Sequence, residues 1–471
     1  MRHEISRRRM LQTGIAGAVA GGAKTEAAAA APLRFPPGFL WGTATSAYQV
    51  EGRGARKADC VWDSFCRIPG KIRDGSNGDV ACDDVHRFPD DIALVAHAGL
   101  KAYRYSISWP RVLPQGSGTP DPRGLDFYER LTDTVLKAGV EPWVCLYHWD
   151  LPQALQDRGG WLDRTIADRF AGYALLMARR LGDRVTRWVT LNEPSVVAIN
   201  GHGLGEHAPG LSGREPMFAA THHQNLAQGR ALDALRGFGG TRFKLGTVLS
   251  LQPVWPAEGL AANRPAAAMW DAVWNRAYLD PLFLGRYPER LLPDLARLVQ
   301  PGDLEAIRRP VDFLGMNYYS RMHQKADPDG LVGSGWGALP PGTKMTGMGW
   351  SIEPDGLVEM LLDLRDHYGN PAVYITENGA SFPDKPGPNG RIEDAQRIAF
   401  LRDHIAACHR ALAQGVNLRG YFAWTILDNF EWAYGYTQRF GLVQVDRATL
   451  KRTTKASYDW FTRVAHGNVL I

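Results

Sequence analysis

From residue 32 onward, short apolar runs alternate with longer stretches in which apolar residues recur every three or four positions. The short runs are 40–44, 102–106, 142–147, 187–191, 245–249, 313–317, 372–376 and 420–424. They are rich in β-branched and aromatic residues and mostly apolar throughout, the pattern of strands buried on both faces. Helical spacing holds over 90–98, 124–138, 163–181, 217–235 and 395–413. Several of these begin at or just after an Asp, a residue type that caps helix N-termini.

Eight strands, each followed by a helix, is the count of an α/β fold, the (β/α)8 or TIM barrel, with long βα loops and a single domain over 32–471. The competing architecture, a doubly wound open sheet, usually carries a glycine-rich phosphate turn after its first strand. No G-x-G-x-x-G follows the first run, and no G-x-x-x-x-G-K occurs anywhere. Stretches rich in Gly and Pro at 320–350 and 380–394 follow the sixth and seventh runs, where a barrel carries its active-site loops.

Polar residues cluster where the runs end. The third leads into Tyr147-His148-Trp149-Asp150 and the fourth into Asn192-Glu193-Pro194. The sixth leads into Asn317-Tyr318-Tyr319, and the seventh into Thr376-Glu377-Asn378-Gly379. Beyond the eighth lie Asp428-Asn429-Phe430-Glu431-Trp432. Two carboxylates, Glu193 and Glu377, thus reach one rim from strands four and seven, on opposite sides of a small barrel. Glycosidic cleavage needs such a pair in unequal environments, one protonated to donate to the leaving oxygen and one ionised to attack the anomeric carbon. A single Glu at a strand end reads equally well as an ion pair or a cap. Two of them among Asn, His, Trp and Tyr do not. Trp149, Trp350, Trp424 and Trp432 fall in loops or at strand ends, and flat amphipathic rings suit the apolar faces and polar edges of sugars. Most of the 15 tryptophans are expected in the core.

The first 31 residues differ from the rest. A basic head with Arg7-Arg8-Arg9 precedes a weakly apolar Gly/Ala run, 13–23, and an alanine tract, 27–31. Ser6-Arg7-Arg8-Arg9-Met10-Leu11-Gln12 resembles a twin-arginine export signal, with Met10 and Gln12 departing from the commonest form. The apolar run is too short to hold a permanent membrane span. The expectation is a signal peptide over 1–31 that engages the twin-arginine machinery and sends the folded chain to the periplasm or outside. If the leader does not function, the chain stays cytoplasmic. This leader holds Arg2, Arg7, Arg8, Arg9 and Lys24 against Glu4 and Glu26, and so supplies three of the five net positive charges. What remains is nearly balanced and scattered, which argues against a nucleic-acid partner. Five cysteines without a C-x-x-C pair give no zinc or redox motif. Cys60, Cys66 and Cys82 lie close enough in sequence for one disulfide, and buried free thiols are the alternative. No H-E-x-x-H is present, so neither metal nor cofactor is expected.

The ordered motifs resemble glycoside hydrolase family 1, the family of β-glucosidases. They comprise Phe39-Leu40-Trp41-Gly42 with 44–52, Tyr103-Arg104-Tyr105-Ser106 through Arg111, and His148-Trp149-Asp150-Leu151-Pro152. They continue through 190–194, 315–319, Met348-Gly349-Trp350, 375–379, 424–432 and Arg439-Phe440-Gly441-Leu442-Val443. The resemblance runs from about Phe35 to the C-terminus. It implies a retaining β-glycosidase acting on β-glucosides or short β-linked oligosaccharides, with Glu193 as acid/base and Glu377 as nucleophile. It also implies Asn192 at the sugar 2-hydroxyl, Gln49, His148, Glu431 and Trp432 on the other hydroxyls, and Trp424 as stacking floor. Trp350 would line the leaving-group side, with Trp149, Asn317 and Phe440 completing the substrate site. Arg104 and Tyr319 would hold Glu377 ionised and oriented. Phospho-β-glycosidases of the family replace the Glu431 region with phosphate-binding residues, and thioglucosidases carry Gln at the acid/base position. Glu431 and Glu193 point away from both. A β-galactosidase, β-fucosidase or broad β-glycosidase is the nearest alternative, and a non-catalytic sugar-binding barrel the alternative of another class.

Overall fold

The computed structural model describes residues 32–56 and 58–471. The expected export leader lies outside the described residues. Each of the eight expected strands forms, at or within two residues of its expected bounds. They are β1 Leu40–Ala44, β2 Ala102–Ser106, β3 Glu141–Tyr147, β4 Arg187–Asn192, β5 Lys244–Ser250, β6 Phe313–Asn317, β7 Val373–Asn378 and β8 Leu418–Trp424. All neighbours pair in parallel and in chain order, and β8 returns to β1 to close the barrel.

Period-two alternation divides the barrel interior into layers. Ala102, Trp143, Cys145, Val189, Val248, Phe313, Tyr374 and Phe422 form an apolar plug. Trp143 sits at its centre, with ring centroids 4.9 Å from Phe313, 4.8 Å from Tyr374 and 5.1 Å from Phe422. Gly42 leaves room for the Phe422 ring, since a Cβ there would lie 2.9 Å from it. Two residues beyond Ala102 and Phe422, on the same faces of β2 and β8, come Arg104 and Trp424. The plug therefore ends where the polar layer begins, at the C-terminal rim.

Among the described residues, seven longer helices wrap the barrel: α1 Asp84–His97, α2 Pro122–Lys137, α3 Ile166–Leu181, α4 Arg214–Gly239, α5 Pro354–His367, α6 Ala395–Ala413 and α7 Ala456–Gly467. α1 starts six residues ahead of the expected 90, because Pro89 stands inside the helix and masks its first turns. α5 and α7 were not among the expected helices. Between β5 and β6 the chain makes a helix, Arg264–Asp271, then π-helical turns at Ala272–Arg276 and Asp280–Leu284. Pro281 and the wider turns break the 3.6-residue period that would have announced a helix. The stretch after β6, expected as loop, contains Met322–Ala326 and Ser334–Trp336, which join Val254–Pro256 in an accessory three-stranded sheet. All five cysteines are free thiols, so of the two readings of Cys60, Cys66 and Cys82 it is the thiols that the structure contains.

Candidate active site

The two glutamates leave the barrel through irregularities at its rim. On β4 the register against β5 slips between Val189 and Asn192, and Glu193 takes φ 48° and ψ 59° with its N–H donating to the Val248 carbonyl at 2.9 Å. Pro194 then opens a short helix from the first position, where its missing N–H costs nothing. On β7 the register against β6 slips between Ile375 and Glu377. Such bulges turn a side chain away from the face the alternation would give it. Two residues on, Gly379 passes so near the Trp424 carbonyl that a Cβ would stand 1.8 Å from its oxygen. Trp149 and Trp432 also hold left-handed backbone, at φ 80° and 49°. Three of the nine non-glycine residues with positive φ among those described are thus expected site residues, and strain of this kind gathers at functional sites.

A cavity of about 470 Å³ opens at this rim. His148, Trp149, Glu193, Tyr319, Trp350, Glu377, Trp424, Glu431, Trp432 and Phe440 line it. Gln49, Arg104, Asn192 and Asn317 stand behind the lining and hold it. The Arg104 guanidinium is wholly buried and donates through Nη2 to Glu377 Oε1 and through Nη1 to Asn192 Oδ1 at 2.7 Å. The Tyr319 hydroxyl donates to Glu377 Oε2 at 2.7 Å. Asn317 Nδ2 donates to Glu193 Oε1 at 2.9 Å and to Asn192 Oδ1 at 3.2 Å. Although β5 and β6 separate the strands that carry them, the two carboxyls are joined by one chain of donors, from Glu193 through Asn317, Asn192 and Arg104 to Glu377.

The carboxyl environments are unequal. Burial, then the charge of Glu377, pushes Glu193 up to about 8 against the hydrogen bond from Asn317. Burial also raises Glu377, but Arg104, Tyr319 and Asn317 all oppose the rise. A guanidinium and a phenol stabilise the carboxylate at Glu377, while Glu193 receives only neutral donors, so the proton rests on Glu193. A third buried carboxyl, Glu431, is pushed up to about 8 by burial and by the charges of Glu377 and Glu193. Gln49 Nε2 reaches Glu431 Oε2 at 3.4 Å and donates to the Phe430 carbonyl at 2.8 Å.

Hydrogen-bond logic also fixes the imidazole. Asn192 Oδ1 accepts from Arg104 and Asn317, so its Nδ2 donates to His148 Nε2 at 3.1 Å. Nε2 is thereby an acceptor and Nδ1 carries the proton. Burial and Arg104 hold the ring well below the ordinary His value, hence neutral. The Trp149 indole donates to the Asn192 carbonyl at 3.0 Å, with its ring 4.5 Å from Trp432. Trp424 and Phe440 pack with Ala44 against Tyr319, Met348 and Trp350.

Some lining residues escaped the sequence reading. Gln252, just past β5, accepts through Oε1 from the backbone N–H groups of Tyr319 at 3.3 Å and Ser320 at 3.1 Å, so it sets the turn that aims the phenol. The polar end of the fifth run, Ser250-Leu251-Gln252, was the signal that could have found it. Asn200, Glu206 and His207 arrive on the segment after Glu193, and Trp274 and Trp336 on the segments flanking β6. None of these has a periodic or motif signature.

The profile of Glycosyl hydrolase family 1 matches residues 31–469. Thermostable beta-glucosidase B of Thermobispora bispora is 46% identical over 97% of this chain and 96% of its own. Beta-glucosidase A of Acetivibrio thermocellus is 43% identical over 93% of this chain and 99% of its own. Among solved structures, a family 1 β-glucosidase from Thermotoga maritima superposes with a TM-score of 0.89 at 42% identity, covering 94% of this chain and 100% of that one.

Proposed function

The chain belongs to glycosyl hydrolase family 1, and from that premise we propose how its residues divide the labour of retaining β-glucoside hydrolysis. Glu377 attacks the anomeric carbon of a terminal β-glucosyl residue while Glu193 protonates the departing oxygen. Covalent attachment removes the charge of Glu377. That charge helps to raise Glu193, so the Glu193 carboxyl becomes more acidic once the glycosyl-enzyme forms. It then takes a proton from water, which attacks the same carbon and releases glucose as the β-anomer. A carboxyl separation of about 5–5.5 Å suits this double displacement. The observation that carries the assignment is the donor set: Arg104 and Tyr319 both serve Glu377, and neither serves Glu193.

The glycone lies over Trp424. Asn192 meets the 2-hydroxyl, and His148 and Trp432 take others. Gln49 and Glu431, already 3.4 Å apart, offer an amide and a carboxyl to one hydroxyl. Trp149, Asn317 and Phe440 complete this half of the site, and Trp350 begins the leaving-group side. Proton NMR of the first-formed sugar tests the stereochemistry: β-glucose supports the reading and α-glucose contradicts it. A panel of β-glucosides, β-galactosides, β-fucosides and cello-oligosaccharides ranks the glycones, and glucosides should lead.

The leader, 1–31, sends the folded catalytic domain, 32–471, out of the cytoplasm by the twin-arginine route, to the periplasm or beyond. The Arg7-Arg8 pair supports this, as do the free thiols of the domain, which suit folding in a reducing compartment before export. Replacing Arg7 and Arg8 by Lys should leave the enzyme in the cytoplasm; unchanged export would refute the route.

A further inference from the structure

The two donors that orient Glu377 are supported differently. Arg104 stands within β2, where the closed sheet fixes it. Tyr319 comes two residues after β6 has ended. The Tyr318 N–H still bonds the Glu377 carbonyl at 3.0 Å. The next two N–H groups, of Tyr319 and Ser320, turn instead to one side-chain oxygen, Gln252 Oε1, at 3.3 and 3.1 Å. An oxygen must face two donors, so the sense of this amide is fixed, and its Nε2 is left to donate to Ser250 Oγ at 3.3 Å.

Gln252 is itself held from outside the barrel. It is buried two residues beyond β5, where the ladder has stopped and its backbone groups need other partners. Asn275 supplies both. Its Oδ1 accepts the Gln252 N–H at 3.2 Å, and its Nδ2 donates to the Gln252 carbonyl at 2.8 Å. Nδ2 also donates to Asp271 Oδ1 at 2.7 Å, and Asp271 Oδ2 accepts from Arg276 Nε at 2.9 Å. Arg276 Nη1 reaches Asp363 on α5 at 2.6 Å and the Tyr368 hydroxyl at 2.9 Å. Asn275 is wholly buried, on the π-helical turn Ala272–Arg276, and does not line the cavity.

We propose that Asn275 and Gln252 are positioning residues for the nucleophile: they fix the turn that aims the Tyr319 hydroxyl at Glu377, and so tie the attacking carboxylate to the insert between β5 and β6. The proposal rests on the retaining reading, with Glu377 as attacker, and extends it to a residue beyond reach of the substrate. A purely structural clamp would cost stability when cut and leave the chemistry of Glu377 alone. A positioning relay must change that chemistry, because a misaimed phenol no longer favours the carboxylate form.

The test measures kcat and KM on methyl β-D-glucoside as a function of pH. It uses the wild type, Asn275→Leu, Gln252→Met and Tyr319→Phe, and each of the first two variants combined with Tyr319→Phe. Leu and Met keep the volume and remove the amide. Each should lower kcat about 5- to 50-fold, less than the roughly 100-fold that a misplacement of about 1 Å can cost, with KM nearly unchanged. The acid limb of kcat/KM should move to higher pH. Glu377 is also faced by Arg104 from β2, by Glu193 after β4 and by Glu431 after β8, so the Tyr319→Phe background isolates the phenol. On that background either variant should cost less than about two-fold more, since the hydroxyl it aims is gone. An unchanged kcat, a loss carried by KM with the acid limb unmoved, or losses that multiply with that of Tyr319→Phe would each overturn the relay. If Asn275→Leu does not fold, Gln252→Met cuts the next link alone and decides in its place. A wild type that hydrolyses no β-glucoside sinks the underlying reading instead, so the two failures are distinguishable.

Discussion

Around Glu377, the groups that touch the reacting carboxyls are themselves buried and cross-linked. Arg104 holds Glu377 and Asn192, Asn192 holds His148, and Asn317 holds Glu193 and Asn192. At the mouth, the accessory sheet has strands of three to five residues, and Trp336 stands in solvent. The first region is made by barrel register, and its side chains sit on strand ends whose positions the closed sheet fixes. The second is made by an insert, and its contacts can be exchanged without touching the barrel. The paired carboxyls are thus anchored where the backbone has least freedom, and the part that tolerates change stands at the mouth.

The hardest blow to the rigid region is Glu377→Ala, which should lower kcat on the order of 10⁴- to 10⁶-fold on any β-glucoside. Glu193→Ala should cost about 10²- to 10⁴-fold on alkyl glucosides, which need a proton donor, and far less on 2,4-dinitrophenyl glucoside. A series of leaving groups checks this, and equal losses across the series would break the donor assignment. Behind the cavity, the buried Lys455 ammonium donates to Asp384 at 2.6 Å and Asp428 at 2.8 Å, and Asp428 Oδ1 also accepts the Gly441 N–H at 2.8 Å. These bonds pin both ends of the 428–441 loop that carries Glu431, Trp432 and Phe440. Lys455→Met takes the cation from buried Asp428, while Asp384 keeps Arg397. It should cost about 3–5 kcal/mol of stability and raise KM for all glucosides alike, whereas changes at the mouth should raise KM selectively. Denaturant melts and a three-substrate KM comparison measure both.

Titration sharpens the contrast further. As the proposed proton donor, Glu193 must be protonated to act; pushed up to about 8 by burial and the charge of Glu377, it predicts that kcat/KM is lost as pH rises through about 8. Glu431 titrates in the same range, so the alkaline limb should survive in Glu431→Gln if it belongs to Glu193. In Glu377→Gln the Glu193 carboxyl, followed by carbon-13 NMR, should titrate lower than in the wild type. The smallest effect is on stability. A carboxyl raised in the folded state binds its proton more tightly there than in the unfolded chain. Its ionisation therefore opposes folding progressively from about pH 4.5 and in full above about pH 8. Glu193→Gln escapes this and should melt a few degrees higher at pH 9, the gap closing as pH falls toward 4.5.

The rigid region was also the legible one. Eight buried strands with polar ends disclosed the barrel, and the two glutamates followed because a closed parallel sheet sends every strand end to one rim. Asn317 could be singled out as a strand-end residue, but not as the amide that ties Glu193 to Asn192. That contact depends on the register slip at Asn192, which no local pattern announces. The mouth was illegible for a related reason. Met322-His323-Gln324-Lys325-Ala326 has the burial of a strand that meets the cavity at one end and solvent at the other, so it shows no alternation. The prolines and π-turns of 264–284 hid a helix in the same way. Where tertiary contacts alone decide the conformation, sequence periodicity carries no trace of it.

The most direct measurement traps the enzyme with 2,4-dinitrophenyl 2-deoxy-2-fluoro-β-glucoside, followed by peptic digestion and mass spectrometry. The account expects one added fluoroglucosyl group, on the peptide containing Glu377. A label on the peptide of Glu193 or Glu431, or turnover with inverted product and no covalent adduct, would contradict it.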